Sequence, residues 1–239
     1  MKKLLIPLIA AFAANTVSAA APQQVIDIST DKVSMVLTAA PGGEVYFRHF
    51  GGRIDDPAPL ADYKSNRRSD HGTEDLAYPA TGGRNFREPA LRVTHADGDM
   101  NTELRYVSHA SKQLSDKNVT ETVVKMTDCC QALDVELVFT AYARENVITT
   151  HAVIRNREKG PVTLHSFYSS LPLKADKYLL THLYGAWARE AQVDHTLLTH
   201  GSKSIESTRE VRTTHTENPA FLLTLNSDSF SETYGEVIA

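Results

Sequence analysis

The sequence is short of cysteine, of charge of one sign and of long apolar runs, and each shortage removes a class of protein. Its two cysteines are neighbours, Cys129 and Cys130. Adjacent cysteines bridge only through a strained ring, so the expectation is two thiols in a strand with side chains pointing opposite ways. Stability must then come from packing rather than from cross-links. The formal net charge of -4 is spread along the chain with no block of either sign, which leaves no electrostatic footprint for nucleic acid or an anionic membrane. The one sustained apolar run, LLIPLIAAFAA from Leu4 to Ala14, falls short of the roughly 20 residues of a spanning helix.

Motifs for assisted chemistry are also missing. Histidine is plentiful, yet no HExxH, HxH or CxxC spacing occurs, so no metal site is expected. There is no GxSxG elbow. Gly82 and Gly83 in TGGRNF lack the spacing of a phosphate cradle, and no cofactor is expected. The pair Asp55 and Asp56 sits in IDDP, where Asp ahead of proline reads as a turn. Glycosidase carboxylates must face each other across a bond, which sequence adjacency does not arrange.

What is present begins with an address. Lys2 and Lys3, the apolar run and the small residues of TVSAAAPQ form the pattern of a secretory signal over residues 1–20, cut after Ala19 or Ala20. The protein is therefore expected to be exported, periplasmic or secreted. No cysteine follows the signal, which argues against a lipid anchor.

Beyond the signal, alternation dominates. In DVELVFTAYA, Val135, Leu137, Phe139 and Ala141 share one face and Glu136, Val138, Thr140 and Tyr142 the other, the period of a strand. NVITTHAVIRN repeats the pattern after a turn at Ala143 to Asn146, which makes a hairpin. Further β-rich runs are QQVIDIST, KVSMVLTA, EVYFRHF, ALRVTHA, TELRYVSH, VTETVVKMT, PVTLHSFYSSL, AFLLTLNS and TYGEVIA. Many short strands with polar turns and no alternating helices predict an all-β fold, a large antiparallel sandwich over residues 21–239.

Three places stand out from this pattern. Gly51 to Pro89 is rich in Gly, Pro and charge, too long for an idle connection, and its Tyr63, Tyr78 and Phe86 favour an ordered excursion. The chain closes on ETYGEVIA, a strand-like run without a blunting tail, so a fragment of a longer protein is expected. The only tryptophan, Trp187, lies in THLYGAWARE. It is either a core plug, the commoner fate of a lone Trp in a β protein, or part of a site.

Several stretches, in this order, resemble the N-terminal domain of bacterial-type α-galactosidases, glycoside hydrolase family 36. They are LAYPATGGRNFREPALRV (Leu76 to Val93), TELRYVSH (Thr102 to His109), FTAYARENVITTHAVIRN (Phe139 to Asn156), LHSFYSSLPL (Leu164 to Leu173), HLYGAWARE (His182 to Glu190) and ENPAFLL (Glu217 to Leu223). The resemblance implies a β-supersandwich ahead of a (β/α)8 catalytic barrel that carries two aspartates of a retaining mechanism. The family's nucleophile lies in a Lys-Trp-Asp context, and Trp187 stands between alanines. This chain alone is therefore expected to lack the catalytic residues and to be inactive.

The resemblance also implies partners and a site: an α-galactoside substrate such as melibiose or raffinose, the catalytic barrel of the same parent chain, and a homo-oligomer, tetrameric in the family. Loops of the domain reach the sugar pocket there. Carried onto this sequence, they place Trp187 of GAWARE, Asp62 of PLADYK and Arg67 of SNRRSD at the substrate, with Asp56 and Arg68 as the alternatives. The competing expectation is a free-standing β-sandwich that binds carbohydrate or shapes an assembly without catalysis.

Overall fold

The computed structural model describes residues 23–62, 72, 75–173, 177–206, 216–225 and 237–238. The predicted signal, Tyr63, Arg67 and Arg68 lie outside the described residues. Strands β1 (Gln24–Ser29), β2 (Val33–Ala39) and β3 (Val45–Gly52) form one sheet in chain order. Strands β5 (Leu104–Gln113), β6 (Val119–Asp128), β7 (Leu133–Tyr142) and β8 (Val147–Asn156) form a second, also in chain order. Strands β4 (Leu91–Thr94) and β9 (Thr163–Phe167) pair with each other. The last sheet, from β10 (Tyr178–Ala186), β11 (Arg189–Leu197), β12 (Glu217–Leu225) and β13 (Val237–Ile238), has the order β11-β10-β12-β13.

The named strand pairs are antiparallel, as the alternation predicts. Among the described residues the one helical element is a short 3-10 turn, Ala58–Asp62, and no helix is long and apolar enough to cross a membrane.

The core forms where the first two sheets face each other. Ile26 and Ile28 of β1, Met35 and Leu37 of β2 and Phe47 of β3 join Val124 and Met126 of β6 and the inner row of β7, with Leu91 and Val93 of β4 closing the side. On β7, Val135, Leu137, Phe139 and Ala141 are buried as their spacing predicts. Val138 on the opposite row is also covered. On that outer row Glu136 faces Lys125 directly across β6 and accepts from Arg155 Nη2 at 3.0 Å. The carboxylate of Glu136 is held below its ordinary range, first by that hydrogen bond.

Strand β2 breaks the simple alternation because it is the central strand of its sheet and is covered on both faces. A buried hydroxyl must be satisfied. Ser34 therefore shares a hydrogen bond with Ser29 Oγ at 2.8 Å and accepts the Ile54 amide at 3.0 Å, and Thr38 Oγ1 accepts Arg48 Nε at 2.8 Å. The β2–β3 turn needs Gly43, whose φ is +92° and where a Cβ would stand 3.2 Å or less from Arg105 side-chain atoms.

The excursion after β3 returns to the core in its second half. The Ala77 amide donates to the Val45 carbonyl at 2.9 Å and the Phe47 amide to Asp75 at 2.7 Å. Tyr78 is buried, while Phe86 is exposed.

Two sequence expectations are corrected. Cys129 and Cys130 do not lie in a strand and do not point apart: they sit in the turn after β6, with their Sγ atoms 3.0 Å apart. Asp128 ends the strand there, because its carboxylate accepts the amides of Cys130 at 2.7 Å and Gln131 at 2.9 Å. The second correction is an addition: Tyr178–Ala186 and Arg189–Leu197, which fall outside the β-rich runs expected from the sequence, form β10 and β11.

Candidate functional site

Trp187 is not a core plug. It stands at the tip of the β10–β11 hairpin with 87% of its surface exposed. The two strands run in register from Leu179 opposite Leu197 to Tyr184 opposite Gln192, after which Ala186 faces Arg189. Gly185 is thereby opposed by both Glu190 and Ala191, the two-against-one count of a β-bulge, which bends a hairpin and raises its twist.

The tip is braced from within the GAWARE segment. Trp187 and Ala188 form the two-residue connection, and Ala188 takes a left-handed φ of +62°. Glu190 Oε1 accepts the Ala188 amide at 2.9 Å. Ala191 at the bulge is left-handed as well, with φ +55°. Left-handed backbone costs a residue with a Cβ roughly 1–2 kcal/mol, so two such alanines beside one exposed indole are stored strain of the kind found where a side chain is held for a purpose. Glu190 is thus more than a surface charge, because its carboxylate caps the turn.

Behind the tip the hairpin carries polar cross-strand pairs. Thr181 Oγ1 and His195 Nδ1 are 2.8 Å apart on one face. On the other, buried His182 has Nδ1 3.6 Å from Asp194 Oδ2 and its ring 6.2 Å from that of half-exposed Tyr184. At the far end of the same sheet a groove of about 450 Å3 is lined by Leu180, Leu197, His200, Lys203, Phe221 and Leu223 among others.

Asp62 is exposed and ends the 3-10 turn, which packs on β1. It is thus held by a different part of the fold from Trp187, and no hydrogen bond or ion pair joins the two. Asp56 accepts the Ala58 amide at 3.0 Å through Oδ1, the turn expected of IDDP, and so starts the 3-10 turn. Arg67 and Arg68 fall outside the described residues. Sequence reasoning finds Trp187 but misses what presents it. The signal was the alternation of Gln192, Asp194 and Thr196 against Val193, His195 and Leu197, in the strand that begins after a two-residue turn.

Residues 43–239 match the family model of the glycosyl hydrolase family 36 N-terminal domain. The chain belongs to that family. Among curated relatives, it is 31% identical to α-galactosidase AgaA of Geobacillus stearothermophilus over 66% of this chain and 24% of that protein. It is 25% identical to α-galactosidase C of Emericella nidulans over 81% of this chain and 28% of that protein. The chain thus spans about a quarter of the length of the relatives it matches.

Solved structures agree on the fold. A variant of the same AgaA with stachyose bound superposes with a TM-score of 0.77 at 25% identity, covering 90% of this chain and 33% of that one. A variant with raffinose bound superposes with a TM-score of 0.77 at 24% identity, covering 85% and 32%. The all-β architecture expected from the alternation is the family 36 N-terminal sandwich, and the homologues of this domain are α-galactosidases.

Proposed function

We propose that this chain is the N-terminal part of an exported α-galactosidase that removes terminal α-D-galactosyl residues from small galactosides such as melibiose and raffinose, with retention. The observation that carries this reading is Trp187, an indole 87% exposed on a strained and capped hairpin tip. A sandwich that only shapes an assembly gains nothing from ordering such a group. A domain that completes a sugar pocket does, because the apolar face of a galactosyl ring packs on an indole while a few polar groups fix its hydroxyls.

In this proposal the barrel that follows residues 21–239 supplies the nucleophile and the acid/base, a carboxyl pair about 5–5.5 Å apart in a retaining enzyme. The N-terminal domain contributes no reacting atom. Trp187 stacks on the substrate, and Asp62 accepts hydrogen bonds from sugar hydroxyls with Arg67 holding its carboxylate by a forked pair. Asp62 is preferred to Asp56 because Asp56 already caps its own turn. Since Trp187 and Asp62 sit on different elements, the β10–β11 tip and the 3-10 turn against β1, a homo-oligomer in which a neighbouring subunit brings one of them to the pocket accommodates both. The relatives support the substrate class, since variants of AgaA form complexes with raffinose and stachyose.

The test is kinetic and uses the full parent protein, expressed from the reading frame that continues past Ala239. A charged hydrogen bond contributes about 1.5–3 kcal/mol, so Asp62→Ala raises the KM for raffinose roughly 10- to 150-fold. Trp187→Ala raises it at least about tenfold by the same scale. Turnover of an aryl α-galactoside by residues 21–239 alone, or an unchanged KM in both variants, sinks the proposal.

A further inference from the structure

The turn between β6 and β7 carries chemistry that galactoside binding does not use. Cys129 and Cys130 are both exposed free thiols, and their Sγ atoms lie 3.0 Å apart. The turn that presents them is held from three sides. The Asp128 carboxylate, itself buried, accepts the amides of Glu103 at 2.7 Å, Cys130 at 2.7 Å and Gln131 at 2.9 Å. The Cys129 amide donates to the Glu103 carbonyl at 3.0 Å, and Glu103 is in turn paired with Arg105. The dithiol is thus preorganised, which removes most of the ordering cost of a ligand that needs both sulfurs.

A direct S–S bond does not suit this geometry. Disulfide partners normally have Cα atoms about 4.4–6.8 Å apart, whereas neighbouring Cα atoms across a trans peptide are fixed at about 3.8 Å. One atom inserted between the sulfurs relieves the ring. Two bonds of about 2.3 Å subtend roughly 80° on an edge of 3.0 Å, far from the tetrahedral angle a structural zinc prefers. That angle is close to the near-orthogonal bonding of a pyramidal trivalent centre.

We propose that Cys129 and Cys130 form a binding site for trivalent arsenicals, which bridge the two sulfurs through a single arsenic atom. The step is a condensation. For an arsonous acid, two As–O bonds and two S–H bonds break, two As–S bonds form, and two molecules of water leave. Arsenic stays trivalent and nothing is oxidised or reduced.

At Cys129 the electrostatics disfavour thiolate-seeking reagents. The hydrogen bond to Cys130, burial, and the negative charge of Cys130, Asp128 and Glu103 push the Cys129 thiol up to about 12. Alkylation and thiol–disulfide exchange proceed through the thiolate and are suppressed at such a thiol. The condensation releases water and no net proton, so the raised Cys129 thiol does not oppose it.

The test uses the reduced full chain and phenylarsine oxide, read by intact mass. One phenylarsenic bridge per chain is expected, stable to a large excess of a monothiol and displaced by 2,3-dimercaptopropanol. Cys129→Ser and Cys130→Ser each weaken binding at least about 100-fold, the loss of a chelate's second arm. Each variant's thermal midpoint is compared with wild type, and unfolded wild-type chain is titrated in parallel. Binding about tenfold weaker to the unfolded chain supports the preorganised turn. The proposal fails if wild type forms no adduct, if either single variant keeps it, or if folded and unfolded wild type bind equally.

Discussion

His95 Nδ1 lies 2.7 Å from Glu158 Oε1, with the two side chains 0% and 5% exposed. His95 follows β4 and Glu158 lies in the β8–β9 connection, so one contact ties together segments 63 residues apart. The imidazole is satisfied on both nitrogens, because Nε2 is 2.9 Å from Thr102 Oγ1. The second carboxylate oxygen accepts the Ala96 amide at 2.8 Å. Nothing in the sequence marks either residue. The contact is the polar closure of a core edge, and it carries the first prediction.

Desolvation pushes the Glu158 carboxyl up, but the hydrogen bonds from His95 and the Ala96 amide, with the charge on His95, outweigh it and hold it below its ordinary range. A carboxyl whose folded value lies below its unfolded value of about 4.3 stabilises the fold fully above that pH. The contribution drains as the pH falls through the lower folded value. Glu158→Ala should therefore cost about 2–3 kcal/mol at pH 7 through lost charged hydrogen bonds. Thermal melts from pH 7 to pH 3 should show the gap between wild type and Glu158→Gln closing as acid is added. A gap that widens in acid would contradict the assignment.

Leu91 has no exposed surface and joins two pieces of backbone, since its amide reaches Pro79 at 3.2 Å and its carbonyl accepts Thr81 at 2.9 Å. Leu91→Ala leaves a cavity where the sandwich edge meets the returning excursion. A loss of about 2–5 kcal/mol is expected in urea unfolding, with the slope unchanged if the transition stays two-state.

Trp187 separates stability from binding. Truncating a buried tryptophan costs about 3–5 kcal/mol, whereas an exposed side chain away from caps stays within about 0.5 kcal/mol. Trp187→Ala should leave the thermal midpoint of this chain unchanged. A drop of several degrees would put the indole against a surface of the domain itself.

Ala188 tests the strain at the same tip. Glycine visits a φ of +62° without the Cβ penalty, so Ala188→Gly should stabilise the chain by about 0.5–1 kcal/mol once the extra freedom of unfolded glycine is subtracted. In the full parent protein the same change should loosen the presentation of Trp187 and raise the KM for raffinose, so that stability and binding move in opposite senses. Equal or lower stability in Ala188→Gly would show that the turn is relaxed.

Strand positions follow from alternation because a strand's side chains face opposite ways at a period of two. The inner row of β7 is legible residue by residue for that reason, and the β7–β8 hairpin needs only its turn at Ala143 to Asn146 in addition. Strand β2 is only half legible: its polar Ser34 and Thr38 are buried by partners 5 and 10 residues away in the chain, and no local pattern announces a strand covered on both sides. The cysteine turn misleads for a related reason. Its two residues look like strand until Asp128 takes the next amides and ends the ladder.

By itself, the sequence determined the all-β class, the positions of most strands along the chain, the family through the ordered motifs, and the identity of Trp187 as a residue to question. These are properties of period and local composition. Tertiary structure alone decided that Trp187 faces solvent, that Cys129 and Cys130 face each other, and that His95 meets Glu158. Each of these depends on which distant backbone arrives at that point, and in an antiparallel sandwich that is set by strand order and bulges rather than by neighbours in the chain.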